Sequence, residues 1–394
     1  MKTLHQSPTD PSFVQNPYLF YETARAQGPF FHWADYGMVC TPSAAAANAI
    51  FRDRRFGREA PAELAPVIPP HLAPFYAVEA HSMLELEPPR HTRLRGLVLR
   101  AFTSRRIAAL GPEIETLTHQ LIDALPPGPF DLLAQFGQKL PVIIIARLLG
   151  VPETMSDDLL KWSNAMVGMY MANRTLAAEA RAIAATEDFV AFLRDYINQR
   201  RHDPRDDLIT SLIAAEEAGE KLTTDELIST CILLLNAGHE ATVHTIGNGV
   251  KTLLETQTPL TALAPGAIEA TTEEILRFDP ALHMFTRWAY EPIEIMGHTF
   301  QRGDRVALLL GAANRDPATW ENPDQFQPTR VPKPNVTFGA GLHFCVGAPL
   351  ARLELQIALP ILFNRLPGLN IADPPAYGDV YHFHGLTKLM LDRA

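Results

Sequence analysis

The chain has 394 residues, 47% of them hydrophobic and 20% charged, with a net charge of -10. That balance suits a globular protein with a large core, and it excludes nucleic acid as the main partner, which would need clustered cations. The three cysteines, Cys40, Cys231 and Cys345, are too few and too scattered for a disulfide framework.

The opening residues, MKTLHQSPTD, have no apolar signal core. No apolar run is long enough for a bilayer; the best candidate, PVIIIARLLGV, is interrupted by Arg147. A cytoplasmic protein with no membrane segment is expected. Residues 15–28 read as a helix, followed by strand-like pieces through about 42. A proline-rich loop at about 60–76 precedes a basic helix from about 88. Between Pro88 and Pro112 there is no acidic residue, but there are six arginines: Arg90, Arg93, Arg95, Arg100, Arg105 and Arg106. This is either a solvated helix face or a docking patch for an acidic partner or anionic ligand groups. His91 and Arg95, four apart on one face, can together hold a carboxylate.

Helical periodicity dominates from about 112 to 279. Within it, Thr223 and Glu226 form a capping box that opens a helix reaching Glu255. Such a helix is about 50 Å long at 1.5 Å per residue. Gly238 sits in its middle, where glycine costs roughly 1 kcal/mol relative to alanine. It serves either close helix packing or a helix thinned to admit a ligand. In EEILRFDP, Glu274 and Arg277 share a face and can pair, and Pro280 ends the helix. Short strands are expected around IEIMGHTF and RVALLL, with QRGD as a turn between them. An irregular stretch then leads to FGAGLHFCVGAPLAR, Phe338 to Arg352, and helix resumes after Ala348. Nothing repeats and no long linker occurs, so a single domain over 1–394 is expected, mainly α with a small β-rich part.

Cys345 poses the sharpest question. A structural cysteine wants a packed apolar wall, whereas glycines strip side chains so that something else can approach. The loop reads as built around a bulky object at the sulfur.

Taken together, over nearly the whole chain and in the expected order, these features resemble the cytochrome P450 family of heme-thiolate monooxygenases in its soluble bacterial form. The most specific match is FGAGLHFCVG, Phe338 to Gly347. The resemblance implies a heme held between a long distal helix and a proximal cysteine loop. It makes Cys345 the thiolate ligand of heme b (iron protoporphyrin IX). Gly339, Gly341 and Gly347 would admit the porphyrin and sulfur, with Phe338 beside the sulfur. His91, Arg95, Arg287 and His343 would clamp the propionates, and Ala237 would lie against the cofactor. Glu274 and Arg277 match the family's ExxR signature, with Arg330 as the third member of a structural ion network. On the distal helix AGHEAT, Ala237 to Thr242, puts Glu240 at the acid position. Ala241, however, stands where the family has threonine, and Thr242 follows one step later. The usual proton-relaying hydroxyl is missing from its place. Pocket positions implied are the loop from Ile68 to Met83, Leu233, Asn236, Leu282, His283, Phe285 and residues near His384 to Leu386.

The activity implied is insertion of one oxygen atom from dioxygen into a small or medium organic substrate by a monomer. Electrons would come from a ferredoxin-type protein with its reductase, because three cysteines cannot hold a four-cysteine cluster in this chain. The arginine-rich segment would then help dock that carrier. The rival readings are a heme-thiolate enzyme using peroxide or radical coupling, and a non-catalytic heme sensor. A zinc role for Cys345 is poor, since no second ligand has the required spacing.

Overall fold

The computed structural model describes residues 1–171, 174–217, 222–379, 381 and 383–393. By their contacts they group into two compact units, one of Met1–Leu64, Thr118–Gly137 and Ala241–Ala394, the other of Ala65–Leu117 and Gln138–Glu240. The fold is mainly α with small β-sheets. Among the described residues, no helix is long and apolar enough to cross a membrane.

The first unit carries the sheets. Six strands lie in the order Thr3–Leu4, Phe31–Trp33, Met38–Thr41, Arg305–Leu309, Met284–Ala289 and Phe56–Gly57. Strand Arg305–Leu309 runs parallel to Met38–Thr41 and antiparallel to Met284–Ala289. Its residues Val306 to Leu309 are wholly buried, as a central strand with both faces covered requires. IEIMGHTF forms a hairpin of its own, Ile293–Ile295 against His298–Phe300, turned by Met296 and Gly297 at positive φ. One core cluster packs Phe51, Phe56, Phe300 and Leu308 together, and a second packs Tyr21, Phe31, Trp33 and Leu309.

The second unit is helical. Its longest complete helix, Leu176–His202, begins where the Thr175 side chain accepts from the Ala178 amide and ends in a basic turn. Phe189, Leu193 and Ile197 lie on its buried side. The basic helix is Arg90–Ala101, burying Leu94, Leu97 and Val98. The long helix runs Thr224–Glu255 and contributes to both units. Its capping box is formed in both directions: the Thr223 amide donates to Glu226 at 3.0 Å, and the Glu226 amide donates to the Thr223 hydroxyl at 3.2 Å.

Candidate active site

Cys345 is the exposed cysteine; Cys40 and Cys231 are buried, and burial pushes the Cys231 thiol up to about 12. The loop around Cys345 closes on itself, the Cys345 amide donating to the Phe338 carbonyl at 3.0 Å and the Gly339 amide to Val336 at 2.8 Å. Its glycines have different jobs. Gly341, at φ +70°, turns so tightly that a Cβ would fall 2.1 Å from the Phe51 carbonyl oxygen. Gly339 meets the Phe285 and Phe51 rings in the same way at longer range. At Gly347, by contrast, the one neighbour a Cβ would find within 4 Å is the Cys345 sulfur, at 3.8 Å. Gly347 therefore keeps the space beside the sulfur open, while Gly341 serves the fold of the loop. Phe344, next to the cysteine, is 38% exposed. His343 lies half-buried in the turn Gly341–His343 just before it.

Two braces hold this loop to the helix Ile268–Phe278. In the first, Glu274 accepts a bidentate pair from Arg277 at 2.7 and 2.8 Å and a further bond from Arg330 at 3.1 Å. Glu274 and Arg277 are almost fully buried, at 2% and 1% exposure. Arg277 also donates to the Asn314 carbonyl at 3.0 Å. The Asn314 side chain in turn donates to the Thr337 hydroxyl and accepts from the Val336 amide. Thr337 directly precedes Phe338, so the ion network fixes the root of the loop. In the second brace, Arg352 pairs with Glu273 and lays its guanidinium over the Phe338 ring, 4.7 Å from its centre. Asn314, Thr337, Glu273 and Arg352 carry no motif of their own, which is why sequence reading passed over them.

Strand Met284–Ala289 brings further candidates to the loop. Phe285 lies 6.2 Å from Phe51 between ring centres, and buried Arg287 stacks over Phe51 at 5.0 Å. Leu282 is half-buried and bridges to Phe383. His283, expected to line a pocket, is instead wholly enclosed: its Nδ1 is 2.8 Å from the Tyr21 hydroxyl and its ring lies 4.3 Å from that of His384. The reason is the tight approach of Gly311, whose missing side chain makes room for that ring.

In the second unit, His91 is buried and Arg95 half-buried on one face of the basic helix. Arginines of this segment are engaged internally. Arg93 pairs with Glu226, the capping-box residue, Arg106 pairs with Asp206, and Arg90 donates to the Ala80 carbonyl.

The long helix is buried over most of its surface, yet Leu233, Ala237, Glu240, Ala241 and His244 stay partly or fully accessible. Their spacing makes one helical stripe. Gly238 lies off the stripe: a Cβ there would press on Ile145 at 3.1 Å, so it serves close helix packing. Asn236 donates weakly to the Met166 sulfur at 3.7 Å, and its buried Oδ1 has no partner among the described residues. Glu240 lies 3.4 Å from His239, which also approaches Asn164. Thr242 is buried, and the Thr245 hydroxyl donates to the Ala241 carbonyl at 2.7 Å.

An exposed cysteine on a braced glycine loop, beside a buried Glu–Arg–Arg network in a mainly helical chain, defines the heme-thiolate class. The residues suit that cofactor: Cys345 is exposed, and beside it Gly347 leaves space at the sulfur. The family description "Cytochrome P450" matches residues 267–366. A biotin biosynthesis cytochrome P450 of Bacillus subtilis (strain 168) is 36% identical over 393 residues, covering 98% of both chains. A vitamin D(3) 25-hydroxylase of Pseudonocardia autotrophica is 36% identical over 388 residues, covering 96% of this chain and 94% of its own. The crystal structure of P450BioI in complex with hexadec-9Z-enoic acid ligated acyl carrier protein superposes with a TM-score of 0.91 at 35% identity, covering 97% of this chain and all of that one. The chain belongs to the cytochrome P450 family. It is a monooxygenase, and the cofactor of its family is heme.

Proposed function

We propose that Cys345, as its thiolate, is the proximal ligand of heme b, and that the chain inserts one oxygen atom from dioxygen into a C–H bond of a small or medium organic substrate. The observation that carries this reading is the exposed Cys345 thiol on a loop braced at both ends, with Gly347 leaving the sulfur open. When bound, a thiolate-ligated heme supplies the electron push that favours O–O cleavage. The residues around it then have defined work. Phe338, pinned by Arg352, shields the sulfur from water. Arg287, Arg95, His343 and His91 offer N–H donors to the propionates, the two guanidiniums as charge-assisted hydrogen bonds. Ala237, without a bulky side chain, admits the cofactor at the distal helix. Leu233, Leu282 and Phe285 supply apolar wall, as ligand pockets require. The Asn236 Oδ1 takes a hydrogen bond from a donor group on the substrate, and Glu240 holds water for proton delivery.

Electrons come one at a time from a ferredoxin-type protein with its reductase, since the three cysteines of these 394 residues cannot hold a four-cysteine cluster. The substrate screen starts with fatty acyl chains and polyketides. One solved relative is in complex with a hexadecenoyl acyl carrier protein, another with myristic acid, and a curated relative is a polyketide biosynthesis cytochrome P450. Candidates that bind are recognised by the spectral change as water leaves the heme. Reconstituted with a surrogate ferredoxin, its reductase and NADPH under ¹⁸O-labelled dioxygen, the protein is expected to yield product carrying one labelled atom. Product formed only with added peroxide, or no product and no NADPH consumption with any bound compound, would overturn the proposal.

A further inference from the structure

Asp279, His283 and His384 come from three separate segments and meet in the interior of the first unit. Asp279 ends the helix Ile268–Phe278, His283 precedes strand Met284–Ala289, and His384 sits in the C-terminal hairpin between Tyr377 and Leu386. One ligand atom from each lies within 4.8 Å of the others. His384 Nε2 is 3.4 Å from Asp279 Oδ1, and His283 Nε2 is 4.0 Å from the same oxygen. Those separations are long for hydrogen bonds. A tetrahedral ion with bonds of about 2.0–2.2 Å has ligand–ligand edges of about 3.3–3.6 Å; the 3.4 Å pair fits, and the 4.0 Å pair would close slightly on the ion.

The surroundings orient each group. The Tyr21 hydroxyl lies 2.8 Å from His283 Nδ1 and 2.7 Å from the Tyr381 hydroxyl. With the ring proton on Nδ1, the Nε2 lone pair points into the cluster, and Nε2 has no partner among the described residues although His283 is 0% exposed. Metal-binding histidines are commonly held this way by their other nitrogen. Tyr18 and Tyr377 donate one bond each to the two Asp279 oxygens. Tyr377 also stacks on His384, with ring centres 3.8 Å apart. The Asn248 amide ties the backbone carbonyls of Asp279 and His384 together. The Arg315 guanidinium, over the Tyr18 ring, is balanced by Asp324 at 3.5 Å.

We propose that Asp279, His283 and His384 form a binding site for one divalent ion of the zinc type, separate from the heme. Two nitrogens and one carboxylate oxygen suit a borderline-soft ion and leave a fourth position for water. The ion would pin the C-terminal hairpin to the helix and strand that flank the cysteine loop.

The probe is zinc alone. Holoprotein stripped with a chelator and dialysed is titrated with zinc chloride against a competing indicator, and bound zinc is counted per chain by elemental analysis. One equivalent is expected to bind. His283→Gln and His384→Gln should each lower affinity at least about 100-fold, and Tyr21→Phe, which removes an orienting partner, about 10–100-fold. No uptake by the unmodified protein, or unchanged uptake in both histidine variants, would overturn the site. Should those variants not fold, crystals of the unmodified holoprotein soaked in zinc decide the matter. An anomalous peak within about 2.2 Å of all three ligand atoms supports the site, and its absence there refutes it.

Discussion

Glu354 is a buried carboxyl on the helix that follows the cysteine loop, and neither of its oxygens has a hydrogen-bond partner among the described residues. Burial pushes it up to about 8, against 4.5 for the ordinary group. The folded state thus prefers the protonated form. Stability is full below pH 4.5, falls as pH rises toward 8, and stays low above that, a loss of roughly 3 kcal/mol at pH 7. Glu354→Gln should flatten the decline between pH 5 and 8 in urea denaturation of the holoprotein; an unchanged slope would mean the carboxyl is solvated. Position 241 raises a different issue, because the hydroxyls near it are committed elsewhere. Thr242 is buried, a step of about 100° around the helix from Ala241. Thr245 gives its proton to the Ala241 carbonyl. With Ala241 at this position, a polar group on the substrate is expected to anchor the water that Glu240 would hold for proton delivery. Substrates with a hydroxyl or carbonyl near the oxidised carbon should couple NADPH tightly to product, and analogues without it should bind but release peroxide. Ala241→Thr should narrow the gap. Equal ratios of peroxide to NADPH for both kinds of substrate in the unmodified enzyme would contradict this.

The helix Ile268–Phe278 transmits order to the cysteine loop through Glu274, Arg277 and Asn314. Removing one charge strands the others in the interior, at a cost of about 3–5 kcal/mol. Glu274→Gln should therefore lower stability by about that amount and loosen heme retention; a loss below about 1 kcal/mol in equilibrium unfolding would show that the network is dispensable. Much at this scale was legible in the sequence. The capping box at Thr223, the Glu274–Arg277 pair and the break at Pro280 each depend on residues within one turn, so spacing reveals them. Arg330 was reached through resemblance, and it does donate to Glu274. The second brace was not legible, because Arg352 reaches Glu273 from another helix and neither residue is unusual alone. His283 was misread for a related reason. Its surroundings, Tyr21, Tyr381 and His384, come from the two ends of the chain, and no local pattern announces them. Gly341 carried the right residue with a reason that spacing could not supply, since its close neighbour is the Phe51 carbonyl.

Across the whole molecule, function is concentrated where distant segments meet a few rigid elements. The acidic net charge and the arginine-rich segment suggested a docking surface, but internal ion pairs absorb Arg93 and Arg106, so charge counted along the chain overstates what a partner would meet. The long helix shows the reverse. Its sequence is apolar or small over many turns, yet in its buried middle Leu233, Ala237, Glu240, Ala241 and His244 stay partly or fully accessible. The central claim is that Cys345, exposed on its braced loop, ligates the heme of the proposed function. The most direct measurement is the absorption spectrum of the reduced holoprotein under carbon monoxide, recorded for the unmodified chain and for Cys345→His. A band near ~450 nm in the unmodified protein, lost in the variant while heme is retained, is the predicted result for thiolate ligation by Cys345. No such band in the unmodified protein, or its persistence in Cys345→His, would contradict it.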